Sequence, residues 1–231
     1  MQNDAVKIVS GNRRENPSDV SVMWKETLIL TAITLVAGLL LGFVYELTKE
    51  PIRRQQERAI QKACQAVFPE EQSLTFELLE ITPSPELRDA LAAEGVEIGK
   101  IFAAVRENGA QIGYVVETCS SKGYGGDIVL YVGITMEGVL HRVSILSIAE
   151  TPGLGMRAQE VLVPQLEDLT VERISYTKTG SGTEGVIDAI SGATKTTKAV
   201  TEAVNGALRM AKELSLTSNE RPGSKGGAAN E

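Results

Sequence analysis

The order of apolar and polar positions divides the chain into a polar start, one unbroken apolar run and a longer region of short elements. Residues 27–45 carry no charge, and a helix of this length spans roughly 28 Å, close to the hydrocarbon thickness of a bilayer. Trp24 and Tyr45 bracket the run, as aromatic residues do at membrane interfaces. The pattern predicts a transmembrane helix over 27–45 after a polar, disordered tail over 1–26. A small-residue cleavage site is lacking after the run, which favours a retained anchor over a cleaved signal peptide.

Beyond the span, the period of the apolar positions changes. Apolar residues recur at helical spacing over 52–68, and Pro85 opens a shorter helix. We interpret 46–98 as a helical connector. The turn signals Asn108-Gly109 and Glu137-Gly138 then predict two hairpins, with strands at 101–106, 111–117, 127–135 and 139–146.

The last third of the chain mixes helical and extended patterns. The sequence predicts a helix over 156–168, a short strand over 171–176 and an amphipathic helix over 194–214. The polar residues 215–231 predict a disordered tail. The whole pattern predicts an α+β fold over 99–214, in which flanking helices cover one side of an antiparallel sheet.

Composition excludes several classes of function. The net charge of −7 gives no basic face for nucleic acid. Cys64 and Cys119 stand far apart without a Cys/His cluster, so zinc and iron–sulfur centres are not supported. The single histidine, His141, lies in an alternating segment and is interpreted as structural, which argues against a Ser-His-Asp hydrolase. A dinucleotide fingerprint is also lacking, so any NAD or iron–sulfur chemistry must lie on partner chains.

The stretch with the strongest chemical signal is 188–194, which reads Asp-Ala-Ile-Ser-Gly-Ala-Thr and leads into the last helix. We expect Ser191 to cap that helix, with Thr194 about three positions into its first turn. A helix start offers unpaired N–H groups and a partial positive charge, which suit a phosphate. Gly192 and Ala193 keep the approach clear, and Lys195 adds a cation.

Two further loops are candidates for binding a flat ligand, although each could also be an ordinary turn. Gly125 lies in the glycine-rich stretch 123–126, where Tyr124 offers an aromatic ring for stacking. The stretch 150–155 reads Glu-Thr-Pro-Gly-Leu-Gly, and its candidate residues are Thr151, Gly153 and Leu154.

Together the three stretches resemble the FMN-binding domain family, which includes the G subunits of Rnf complexes and the C subunits of Na+-translocating NADH:quinone reductases. The resemblance lies in the flavinylation motif at Asp188, Ser191, Gly192 and Thr194, and in the 150–155 loop. It implies FMN joined by a phosphoester to Thr194 and installed from FAD by a separate flavin transferase. Thr196 and Thr197 are the rival acceptors.

The resemblance implies an electron-relay subunit of a membrane complex that couples ferredoxin:NAD+ oxidoreduction to Na+ or H+ movement. The compact length favours the Rnf type over the quinone-reductase type. The complete active site would then include partner subunits. A membrane-anchored binding module without covalent flavin remains the alternative from another class.

The charges that flank the apolar run nearly balance, so they do not decide its orientation. They are Lys7, Arg13, Arg14 and Lys25 before the run, and Lys49, Arg53, Arg54, Arg58 and Lys62 after it. The family resemblance implies a cytoplasmic N-terminus and an extracytoplasmic FMN domain.

Overall fold

The structure, a computed structural model, describes residues 17–71, 73–180 and 182–219. It opens with helix α1, Pro17–Ala66, which continues through Pro51 although proline cannot donate the backbone hydrogen bond at that position. The predicted span 27–45 lies within α1, and the apolar side chains of the run are exposed. The described residues contain one helix long and apolar enough to cross a membrane. Residues 17–26, predicted to be disordered, are helical, and residues 1–16 lie outside the described residues.

The chain divides into two compact units, one through Gln55 and one from Gln56 onwards. The second unit is built on a five-stranded antiparallel sheet in the order β1-β2-β3-β4-β5, which confirms the predicted α+β fold. Helix α2, Pro85–Ala93, separates β1 from β2 in the chain. The strands are β1 Leu74–Leu79, β2 Val96–Arg106, β3 Gln111–Ser120, β4 Ile128–Thr135 and β5 Leu140–Ile148.

Both predicted hairpins are confirmed. Gly109 has a φ of +81° and donates to Arg106 O, while Asn108 Oδ1 accepts from Ala110 N. Gly138 has a φ of +84° in the turn between β4 and β5. Glycine reaches this left-handed region without the steric cost that a Cβ would bring, which explains both turn signals.

Other elements differ from the predictions. Strand β1 lies inside the predicted helical connector 46–98 and pairs along its full length with β2. The expected helix over 156–168 is broken into a 3-10 turn, the short helix α3 (Ala158–Val161) and a second 3-10 turn, Val163–Gln165. The second turn contains Pro164, which has no N–H to continue an α-helix. The strand expected at 171–176 is β6, Ser175–Thr177, which pairs in parallel with β7, Val186–Asp188.

Helices cover both faces of the sheet, whereas the pattern predicted helices on one side. Helix α4, Thr194–Asn219, packs on one face with Tyr114 and Val116 of β3. The end of α1 packs on the other face, where Val67 lies among Val115 and Tyr131. Successive strand residues point to opposite faces, so β3 and β4 contribute to both cores. Helix α4 runs five residues past the predicted end, and the tail residues 220–231 lie outside the described residues.

Candidate functional site

The three stretches singled out in the sequence surround one cavity of about 320 Å³. They come from the β3–β4 loop, the segment after β5 and the start of α4. The lining residues are Tyr124, Glu150, Thr151, Leu154, Gly155, Gly192, Ala193, Lys195 and Thr196.

The β3–β4 loop lies tightly against the end of β5 because its glycines have no side chains. A Cβ on Gly125 would lie 2.0 Å from Ala149 O, and one on Gly123 would lie 2.1 Å from Gly126 O. Both distances are far inside van der Waals contact, so this path of the backbone requires glycine at both positions. The loop thereby presents Tyr124, which is 71% exposed, at the cavity.

The segment after β5 turns sharply and then contacts the first turn of α4. Gly153 has a φ of +76°, and Leu154 N donates to Thr151 O at 3.1 Å. A Cβ on Gly155 would lie 2.6 Å from Thr196 Oγ1. The absence of that side chain lets the segment approach α4 closely and places Leu154 beside the cavity.

Helix α4 begins at Thr194, as predicted, so Ser191 does not stand at the capping position. Ala193, rather than Ser191, precedes the first helical residue, and its carbonyl accepts the first intrahelical hydrogen bond, from Thr197 N at 3.0 Å. Gly192 has a φ of +79°, so the chain turns out of helical geometry between Ser191 and the helix. The first amides of α4 have no acceptor within the helix and remain available to an anion.

The three neighbouring threonines differ in accessibility. Thr194 is half-buried, whereas Thr196 is 1% exposed and Thr197 is fully buried. Thr197 Oγ1 accepts from Ile190 N at 3.1 Å and donates to Ala193 O at 3.1 Å, so its hydroxyl holds the loop before α4. Of the three threonines, Thr194 is the most exposed, although Thr196 and not Thr194 lines the cavity.

Asp188, the first motif residue, has an exposed side chain and does not line the cavity. Its backbone is held by Gln165, whose Oε1 accepts from Asp188 N at 2.7 Å and whose Nε2 donates to Asp188 O at 3.3 Å. Asp188 thus holds the loop through its backbone, while its carboxylate stays exposed.

Sequence reasoning placed Lys195 beside the site but missed other lining residues. Lys195 Nζ lies 5.7 Å from the centroid of the Tyr124 ring, so a cation and an aromatic ring stand together at the cavity. Glu150, Gly155 and Thr196 also line it, although Glu150 and Gly155 were not predicted as site residues and Thr196 was named only as a rival acceptor. Glu150 and Gly155 begin and end the quoted loop motif, which was the available signal.

The cavity combines features that fit a flavin mononucleotide. A Cβ on Gly192 would lie 3.1 Å from Leu154 Cδ2, so glycine lets Leu154 pack closely at the cavity wall. The Tyr124 ring and Leu154 offer apolar contact to a flat ring system. Lys195 and the first amides of α4 offer positive potential to a phosphate.

Comparison with known proteins also indicates an FMN-binding domain. The FMN-binding domain family matches residues 123–209, and the RnfG N-terminal region family matches residues 19–67. The fold and the cavity thus define an FMN-binding domain of an electron-transport flavoprotein, preceded in the chain by an apolar helix.

The G subunit of the Na+-translocating ferredoxin:NAD+ oxidoreductase complex of Acetobacterium woodii is 31% identical over 85% of this chain and 95% of that protein. The G subunit of the proton-translocating ferredoxin:NAD+ oxidoreductase complex of Clostridium ljungdahlii is 32% identical over 78% of this chain and 86% of that protein. The crystal structure of NqrC from Shewanella oneidensis covers 49% of this chain and 61% of that chain, with 20% identity and a TM-score of 0.40. The chain belongs to the RnfG family, the G subunits of the ion-translocating oxidoreductase (Rnf) complexes.

Proposed function

We propose that this chain is the FMN-carrying electron-relay subunit of a membrane-bound ferredoxin:NAD+ oxidoreductase, with FMN joined to Thr194 by a phosphoester. The complex would couple electron transfer to Na+ or H+ movement, since one of the two relatives named above is called Na+-translocating and the other proton-translocating. The observation that carries the proposal is the meeting of three motif loops at one cavity lined by Ala193 and Lys195, the chain neighbours of Thr194. The remaining subunits of the complex would supply the NAD and ferredoxin sites.

Attachment of the flavin requires a reachable hydroxyl and a place for the phosphate. The Thr194 oxygen forms a bond to the FMN phosphorus of FAD, the pyrophosphate bond breaks, and AMP leaves. The hydroxyl proton passes to a base of the flavin transferase, so this chain needs no catalytic base of its own. The product is an anionic phosphodiester at the start of α4, where the helix amides and Lys195 stabilise negative charge.

The other lining residues hold and shield the ring. Tyr124 and Leu154 cover apolar surface, and the glycines at 155 and 192 let the cavity walls pack closely. Bound FMN supplies one- and two-electron transfer, which the side chains of this cavity do not. We further propose that the N-terminus is cytoplasmic and that the FMN domain is extracytoplasmic.

The acceptor is tested with full-length protein co-expressed with an active flavin transferase. We would denature the wild type and a Thr194→Val variant, separate them on a gel and record flavin fluorescence in each band. Valine has nearly the shape of threonine without the hydroxyl. We expect the fluorescent band to be lost in Thr194→Val because the bond cannot form.

Thr217→Val is the matched control, since it changes an exposed threonine near the far end of the same helix. It should keep wild-type fluorescence. Fluorescence that persists in Thr194→Val and disappears in Thr196→Val or Thr197→Val would move the bond to a buried residue. An unlabelled wild type, beside a labelled control substrate of the transferase, would favour the binding module without covalent flavin.

A further inference from the structure

Glu150 is a buried carboxylate in the wall of the proposed flavin cavity. The residue is 8% exposed, and no lysine, arginine or histidine among the described residues forms an ion pair with it. Buried charges in proteins are normally paired or strongly hydrogen-bonded, because removing them from water is costly. The burial of this carboxylate without an ion pair therefore requires an explanation.

The contacts of Glu150 join all three segments of the cavity. Its Oε1 accepts a hydrogen bond from Tyr124 N at 2.6 Å, which ties it to the β3–β4 loop. A Cβ on Gly155 would lie 2.8 Å from Glu150 Oε2 and 2.6 Å from Thr196 Oγ1, so the carboxylate and the first turn of α4 both lie against this glycine. On Gly123, a Cβ would lie 2.9 Å from Glu150 Oε1. Two glycines thus leave room for this one side chain.

We propose that Glu150 is the positioning residue of the cavity and that its negative charge lowers the reduction potential of the bound flavin. This inference rests on the function proposed above. The hydrogen bond to Tyr124 N fixes the loop that presents the Tyr124 ring. The charge lies in the cavity wall and forms no ion pair among the described residues, although Lys195 lines the same cavity, so Glu150 itself disfavours the addition of an electron to a ligand bound there.

The charge is tested by measuring the midpoint potential of the flavin in full-length protein. Glu150→Gln keeps an oxygen that accepts from Tyr124 N but removes the charge. Glu160→Gln is the matched control, since it removes the charge of an exposed glutamate in α3. We expect a more positive potential in Glu150→Gln and an unchanged potential in Glu160→Gln. Equal potentials in the two variants would overturn the electrostatic role.

The anchoring role is tested without any flavin, on a Thr194→Val background. Hydrogen–deuterium exchange of the peptide containing Tyr124 is compared among the parent, Glu150→Gln and Glu150→Ala. Loss of a charge-assisted hydrogen bond should accelerate exchange by about tenfold or more in the alanine variant. Glutamine should keep the parent rate, because its side-chain carbonyl still accepts.

The two measurements separate this inference from the proposed function. Unchanged exchange in Glu150→Ala would overturn the anchor, whatever the flavin content. A wild type without covalent flavin would overturn the proposed function together with the tuning of the potential. The exchange result would still decide whether Glu150 holds the Tyr124 loop.

Discussion

Single residues set the space inside the proposed flavin cavity, and Gly155 is the clearest case. A methyl group there would lie 2.6 Å from Thr196 Oγ1 and 2.7 Å from Glu150 Cβ, so the loop would have to move away from α4. We expect Gly155→Ala to lower flavin fluorescence in the denatured band several-fold. Gly138→Ala strains the β4–β5 turn, where a Cβ has open space around it, and should keep full fluorescence. Equal fluorescence in the two variants would show that the loop tolerates the methyl group.

A second residue-scale consequence concerns Tyr131, which is fully buried and donates to Glu117 Oε2 at 3.0 Å. Burial raises the pKa of the Tyr131 phenol well above 10, and the nearby Glu117 charge and hydrogen bond raise it further. The unfolded phenol ionises near pH 10 while the folded one stays protonated. The folded state therefore loses stability as the pH rises above 10, by at most about 1.4 kcal/mol per pH unit.

This pH dependence is measured by chemical unfolding at pH 9 and pH 11. Tyr131→Phe keeps the ring and removes the titrating group, so its unfolding free energy should fall less between the two values. An identical fall in the wild type and the variant would show that Tyr131 does not contribute.

Elements pack closely where strand glycines face the end of α1. A Cβ on Gly133 of β4 would lie 2.9 Å from Val67 Cβ and 3.0 Å from Val67 O. We expect Gly133→Ala to destabilise the domain by about 1–3 kcal/mol through overpacking, measured as a lower unfolding midpoint. Val67→Ala removes Val67 Cγ2, which would lie 3.1 Å from the new Cβ, so combining the two changes should recover part of the loss. Additive losses would mean that the contact with Val67 Cγ2 is not the cause.

The elements predicted correctly from the sequence carry local signals. Both hairpins have a glycine at a positive φ, and α4 has a long amphipathic pattern. Strand β1 was missed because it lies at the edge of the sheet, and its side chains alternate incompletely between buried and exposed. The 156–168 helix was overestimated because apolar spacing alone does not reveal the break at Pro164.

The sequence also predicted part of the candidate site. Its three loops follow from short motifs, and the structure places them around one cavity. The start of α4 at Thr194 was predicted, but the cap was wrongly assigned to Ser191, a good capping residue by type, because the turn at Gly192 lies between Ser191 and the helix. The places of Glu150 and Thr196 in the cavity wall were not predicted because their burial depends on contacts between segments far apart in the chain.

At the scale of the whole molecule, the proposed relay needs the FMN domain on a defined side of the membrane. The charges around the apolar run nearly balance, so the flanking residues do not decide that side. The proposal places the domain outside the cytoplasm, since the family resemblance implies that orientation. A transferase that uses FAD would then have to act on the same side.

Reporter fusions measure this orientation directly. With alkaline phosphatase, which is active outside the cytoplasm, fused after Glu231, we expect high activity. A green fluorescent protein at the same position should stay dark, because it fails to fold after export. The same reporters fused after Lys25, before the apolar run, should give the opposite result, since the apolar run that drives export is then absent. A fluorescent and phosphatase-inactive C-terminal fusion would place the domain in the cytoplasm and require a cytoplasmic transferase and electron partner.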